Sequence, residues 1–318
     1  MLDQTLDSEK RDAEVHCIQF DQNWRISDWF PTIMLFEREA FDWSLSDHPV
    51  AVRGLIINAL GYRSTESVRY IQHPTLIEGM ELYHTHGLVS GFAMLKMLRE
   101  NAERFHKILA GGLTEKKLLT LGIAATDHDV GGELEGDDKG AAAKVEHIQR
   151  LVKSSVADET LAEEIITDVN SLLGFTNYET SDRPAYFDPR TGDWSLNEQM
   201  STEGLLMVVA DFLQLGAVDY KEKVVRDLTK GSNEYKLPTS IALLFTTALK
   251  ELATRIGIEK AYELIPSEMR ARIIELLTDV ESYDQNFLAK KVGSEERYSK
   301  EEILLKIWGD LGIINTET

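Results

Sequence analysis

Between Leu118 and Ala125 the chain reads Leu-Leu-Thr-Leu-Gly-Ile-Ala-Ala, apolar on nearly every side of a helix, and it then runs into Asp127-His128-Asp129. A helix without a polar face has to be covered all round by other elements. The pair Gly131-Gly132 stops it just past the charged residues. The polar end of a central helix is therefore carried into the interior or into a cleft. An ionised carboxylate buried alone is strongly unfavourable, so Asp129 requires pairing, hydrogen bonds or a metal ion.

The rest of the chain follows the same period. Apolar residues recur at three- and four-residue spacing through most of the 318 residues, and only seven prolines interrupt them. The fold class is all-α. Helices are expected over 50–61, 75–109 with a break near Gly87, 114–129, 138–155, 158–173, 196–216, 218–230, 238–256, 258–281 and 300–311. From Tyr178 to Asn197 a stretch rich in Asp, Gly and Pro, with Pro184 and Pro189, reads as a long loop, either a lid or a surface excursion. Residues 1–50 form an aromatic-rich extension with Trp24, Trp29, Phe30, Phe36, Phe41 and Trp43, expected to pack onto the helical body. Residues 51–220 hold the candidate site, and 221–318 form a C-terminal helical region on the same body. There the apolar run Ile241-Ala242-Leu243-Leu244-Phe245 is either core or an oligomer face, which keeps a homo-oligomer open.

Charge and cysteine content narrow the function classes. A formal net charge of −20 repels phosphate backbones and anionic headgroups, which argues against nucleic acid and membrane surfaces as partners. A small phosphorylated substrate stays open, because a bound divalent cation reverses the local field. With Cys17 the one cysteine, no disulfide forms within the chain. Met1 to Lys10 has no apolar run of the signal-peptide kind, and the expected location is cytoplasmic.

Three places set metal-ligand residue types in apolar surroundings: Tyr83-His84-Thr85-His86, Asp127-His128-Asp129, and Ala210-Asp211-Phe212-Leu213. In chain order they give His, then His-Asp, then Asp. That order over about residues 75–220 resembles the HD family of metal-dependent phosphohydrolases, and it implies an HD-domain-like helical bundle with N- and C-terminal helical additions. In the family these residues come from different helices and bind a metal, the doublet's Asp bridging to a second one where present. Carried over, the resemblance implies His86, His128, Asp129 and Asp211 as metal ligands. His84 is an alternative first ligand, or a proton donor facing phosphate.

Imidazole and carboxylate donors together suit a divalent ion, Mn, Fe, Co, Ni or Zn, and a carboxylate-rich site also accepts Mg. Such an ion polarises a phosphoryl oxygen and lowers the pKa of bound water, the chemistry of phosphomonoester or phosphodiester hydrolysis. The expected function is thus a metal-dependent phosphohydrolase acting on a nucleotide or other small phosphate ester. Metal-bound water is the expected nucleophile, Asp129 counts among the catalytic residues as well as the ligands, and His84 or His147 protonates the leaving group. Asp127 is either an orienter of a ligand histidine or an exposed helix residue, and Lys139 and Lys144 read as surface lysines, with contact of one of them to substrate phosphate as the alternative. The doublet is followed by Val130-Gly131-Gly132-Glu133, without the histidine that cyclic-nucleotide phosphodiesterases carry there. His147 is the nearby replacement. The rival reading is a catalytically weak or inactive module of the same fold that serves signalling or binding. No phosphate-binding Gly-rich loop, Gly-x-Ser-x-Gly or His-Glu-x-x-His is present.

Overall fold

The computed structural model describes residues 80–128, 137–156, 158–176, 185–188, 193–196, 200–213, 239–279, 288, 291 and 296–314. The expected helices 50–61 and 218–230, the aromatic extension and Asp129 lie outside the described residues. Among the described residues nine α-helices run in chain order: α1 Met80–Glu100, α2 Ala102–Ile108, α3 Glu115–Asp127, α4 Asp137–Ser155, α5 Glu159–Leu173, α6 Thr202–Phe212, α7 Thr239–Arg255, α8 Ser267–Thr278 and α9 Lys300–Leu311. The described residues are thus mainly helical. The exception lies within the expected loop 178–197, where β1 (Ala185–Asp188) pairs antiparallel with β2 (Asp193–Leu196), Ala185 opposite Leu196 and Asp188 opposite Asp193. A run with two prolines and no helical period can still close a short hairpin.

Local signals set several of the helix ends. Ser201 and Asp158 accept hydrogen bonds from the backbone N–H of Gly204 and Leu161, as N-caps do. Ser299 and Glu302 form a reciprocal capping box at the start of α9, and Gly312 ends that helix at φ 75°. Two expectations need correction. α1 runs unbroken through Gly87, and the interruption falls at Asn101, which leaves helical geometry at φ −122°, ψ 28°. The expected helix 258–281 is divided: a 3₁₀ turn at Ala261–Leu264 precedes Pro266, after which α8 starts, since Pro266 leaves Ile265 in extended backbone.

The core explains the all-round apolar run. Leu118, Leu119, Leu121, Ile123, Ala124 and Ala125 of α3 are all buried, and α1, α5 and α6 pack around the helix. α1 lies very close to α3: a Cβ on Gly91 would stand 2.0 Å from Thr126 Oγ1, and one on Gly122 would stand 3.0 Å from Leu95 Cδ2. Residue 91 thus faces 126 and residue 95 faces 122, so α1 and α3 run antiparallel. α3 and α6 run the same way, joined near their starts by Lys117 and Glu203 at 3.0 Å and at their ends by His128 and Asp211. α6, buried from Gly204 to Phe212, also packs on α7. Ala242, Leu243, Leu244 and Phe245 of α7 are buried, which makes this run core. Among the described residues no helix is long and apolar enough to cross a membrane.

Candidate metal centre

The packing directions bring the ends of three helices together. The C-terminal ends of α3 and α6 meet beside the N-terminal half of α1, whose turn before Gly91 holds His86 and Gly87. His84 and His86 therefore sit on the first turns of a helix level with the end of α3. Their side chains, like Asp129, lie outside the described residues. Two helix C-termini present partial negative charge to the same place, a field that favours a cation.

His128 follows the last residue of α3 and is 2% exposed, and Asp211 in the last turn of α6 is 7% exposed. The His128 Nδ1 lies 2.8 Å from the Ala125 carbonyl oxygen. A carbonyl only accepts, so Nδ1 carries the hydrogen and donates it. In the neutral ring, Nε2 then presents its lone pair, and it faces Asp211 Oδ1 at 3.2 Å. A lone pair and a carboxylate oxygen repel at that distance unless a positive charge joins them. The arrangement suits either an imidazolium ion paired with the carboxylate or a neutral imidazole and a carboxylate sharing a cation. Ligand nitrogens and oxygens at about 2.0–2.2 Å from one metal, set at right angles, lie about 3 Å apart, close to this separation. The backbone acceptor behind the imidazole is the outer partner that metal-bound histidines ordinarily have.

A second acid–imidazole pair adjoins the first. Asp127, fully buried in the last turn of α3, places Oδ2 3.2 Å from His147 Nε2 of α4, within hydrogen-bond distance. Asp127 is therefore not an exposed helix residue, and it orients His147. Lys144, one turn before His147, donates from Nζ to the His128 carbonyl oxygen and is part-buried. The expectation of a surface lysine fails there, because the end of α3 leaves carbonyls that an ammonium can satisfy. The α4 face carrying His147, Ile148, Leu151 and Val152 is buried, while Val145 and Glu146 are exposed.

The structure thus brings together His128 with Asp211 and Asp127 with His147. Among the described residues no group of three or more His, Cys, Asp or Glu side chains is placed to hold a metal. His128 and Asp211 fit a metal as a two-residue donor set, and the remaining ligands implied by the sequence fall on His86 and Asp129. Of the two readings that the sequence leaves for Asp127 the exposed one is excluded by its burial, and Lys144 is part-buried where a surface lysine was expected. A helix apolar on all sides leaves no exposed position for Asp127, and Lys144 shares the buried face of His147. Comparison of the chain with protein-family models, curated proteins and solved structures gave no match.

Proposed function

We propose that this chain is a divalent-metal-dependent phosphohydrolase with a donor set of the HD type, acting on a nucleotide or other small phosphate ester. The observation that carries the reading is the buried His128–Asp211 pair, its imidazole fixed by the Ala125 carbonyl with Nε2 turned 3.2 Å from Asp211 Oδ1. His86, His128, Asp129 and Asp211 would hold the ion. When bound, a metal of this kind supplies Lewis acidity toward a phosphoryl oxygen and a water acidic enough to act near neutral pH. The chain's own residues do the rest. The Ala125 carbonyl keeps the hydrogen of His128 on Nδ1, the apolar walls of α3 and α6 exclude bulk water, and His147, held against Asp127, serves as a proton donor, with His84 as the other candidate.

The same pair also supports a second reading. His128 and Asp211 already partner each other directly, as an ion pair that fastens α3 to α6, which is what a non-catalytic module of this fold requires. Metal content separates the two. After reconstitution with Mn or Fe, wild-type protein is expected to retain about one or two equivalents and Asp211→Asn or Asp129→Ala far less, with turnover in a phosphate-ester screen lost in the same variants. Wild-type protein that retains no metal and whose pair behaves as a plain ion pair refutes the hydrolase reading.

A further inference from the structure

Asp127 has no place among the metal ligands, yet it is the most completely enclosed acid of the described site. An apolar contact of the same shape between α3 and α4 would be equally stable or more so, since buried ion pairs seldom add net stability. Its geometry is specific. Asp127 Oδ2 lies 3.2 Å from His147 Nε2, and the Lys144 bond to the His128 carbonyl holds the same face of α4 against the end of α3. The turn of α4 from Lys144 to His147 is thereby tied to the end of α3 at two points, at Asp127 and at the His128 carbonyl.

We propose that Asp127 is a positioning residue that keeps a hydrogen on His147 Nε2, so that Nδ1 is the atom through which His147 delivers a proton to the leaving group. The inference rests on the hydrolase reading above. In the step, the oxygen of a water forms a bond to phosphorus and the bond from phosphorus to the ester oxygen breaks. The departing electron pair stays on that oxygen, which takes the proton from Nδ1 of the His147 imidazolium. The water's own proton passes to solvent, and neutral His147 is reprotonated from solvent. The Asp127 carboxylate holds its side of the ring throughout, as a charge-assisted hydrogen bond does best.

The test compares two probes on the full metal-reconstituted chain: phenyl phosphate, whose leaving oxygen needs a proton, and p-nitrophenyl phosphate, whose leaving group departs without one. Asp127→Asn and His147→Gln are each expected to lower kcat about 100-fold on phenyl phosphate, the lower end of the range for general acid catalysis. The loss on p-nitrophenyl phosphate should stay within about 5-fold, the residue of a step that no longer needs the acid. The ratio of the two rates in one preparation does not depend on the fraction of a variant that is folded. Long-range nitrogen NMR of resting protein should in addition place the His147 hydrogen on Nε2 in the wild type and redistribute it in Asp127→Asn. Equal losses on both esters, or a neutral wild-type ring whose hydrogen sits on Nδ1 and not on Nε2, overturn the assignment of Asp127. Wild-type protein that turns over neither ester while retaining the Nε2 hydrogen overturns the hydrolase reading and the acid step with it, leaving only the hydrogen bond.

Discussion

Replacing Gly91 by alanine tests whether the close approach of α1 and α3 is needed. The added methyl carbon would lie 2.0 Å from Thr126 Oγ1, 3.0 Å from Thr126 Cβ and 3.2 Å from Thr126 Cα. The hydroxyl can rotate away, but Cα and Cβ belong to α3 and move only with that helix. At an open helical position the change would stabilise by about 0.8–1 kcal/mol through backbone entropy. Against this stand overpacking, at about 1–3 kcal/mol, and the Thr126 hydroxyl's bond to the Gly122 carbonyl, 2.8 Å long and worth about 0.5–1.5 kcal/mol. The balance is a destabilisation of about 0.5–3.5 kcal/mol, read as a lower urea midpoint at unchanged slope. Thr126→Ala removes the nearest atom, so Gly91→Ala should cost at least about 1 kcal/mol less in that background, a coupling that a double-mutant cycle measures. A rise in stability on Gly91→Ala alone, or strict additivity of the two changes, would refute the reasoning.

The C-terminal helices give two further expectations. Asp310 of α9, 5% exposed, takes Lys250 of α7 at 3.1 Å and Lys306 at 2.9 Å; both lysines reach solvent, so Asp310→Ala should lower stability by about 1 kcal/mol, and less in high salt, measured by urea melts. The Glu302 carboxyl is held below its ordinary value of 4.5, first by the Ser299 backbone N–H and then by Lys291. A depressed folded value means the capping box contributes fully above that ordinary value and fades as the pH falls through the folded one. Thermal melts over that acid range should therefore show a pH dependence that Glu302→Gln reduces; an unchanged profile in the variant would count against the cap.

The all-α class was legible because the helical period is written along α4, α5 and α7, and because caps such as Ser299 and Asp158 act within four residues of the ends they fix. Gly87 misled. A glycine within a helical pattern reads as a break, but here it is a buried position in unbroken α1, a property of packing that no local window contains. The hairpin 185–196 was missed for a related reason: four-residue strands give too short a period to be seen, and β2 is held against α7, far away in sequence. At the site, His128 and Asp211 stood out because an acid or imidazole in an apolar helix demands a partner. That His147 partners Asp127 was hidden, because it depends on how α4 folds back across the end of α3.

The burial of α6 on every side has a consequence for how the chain can come apart. It packs against α1 and α3 and also against α7, so Asp211 is held in place by helices that lie after it in sequence as well as by those before it. Opening the C-terminal helices would bare the apolar side of α6 and release Asp211 from His128 in a single event. Exchange of the amide hydrogens of α6 and α7 should then follow one common opening free energy, and a shortened chain ending after Phe212 would lose its candidate site along with its appended helices.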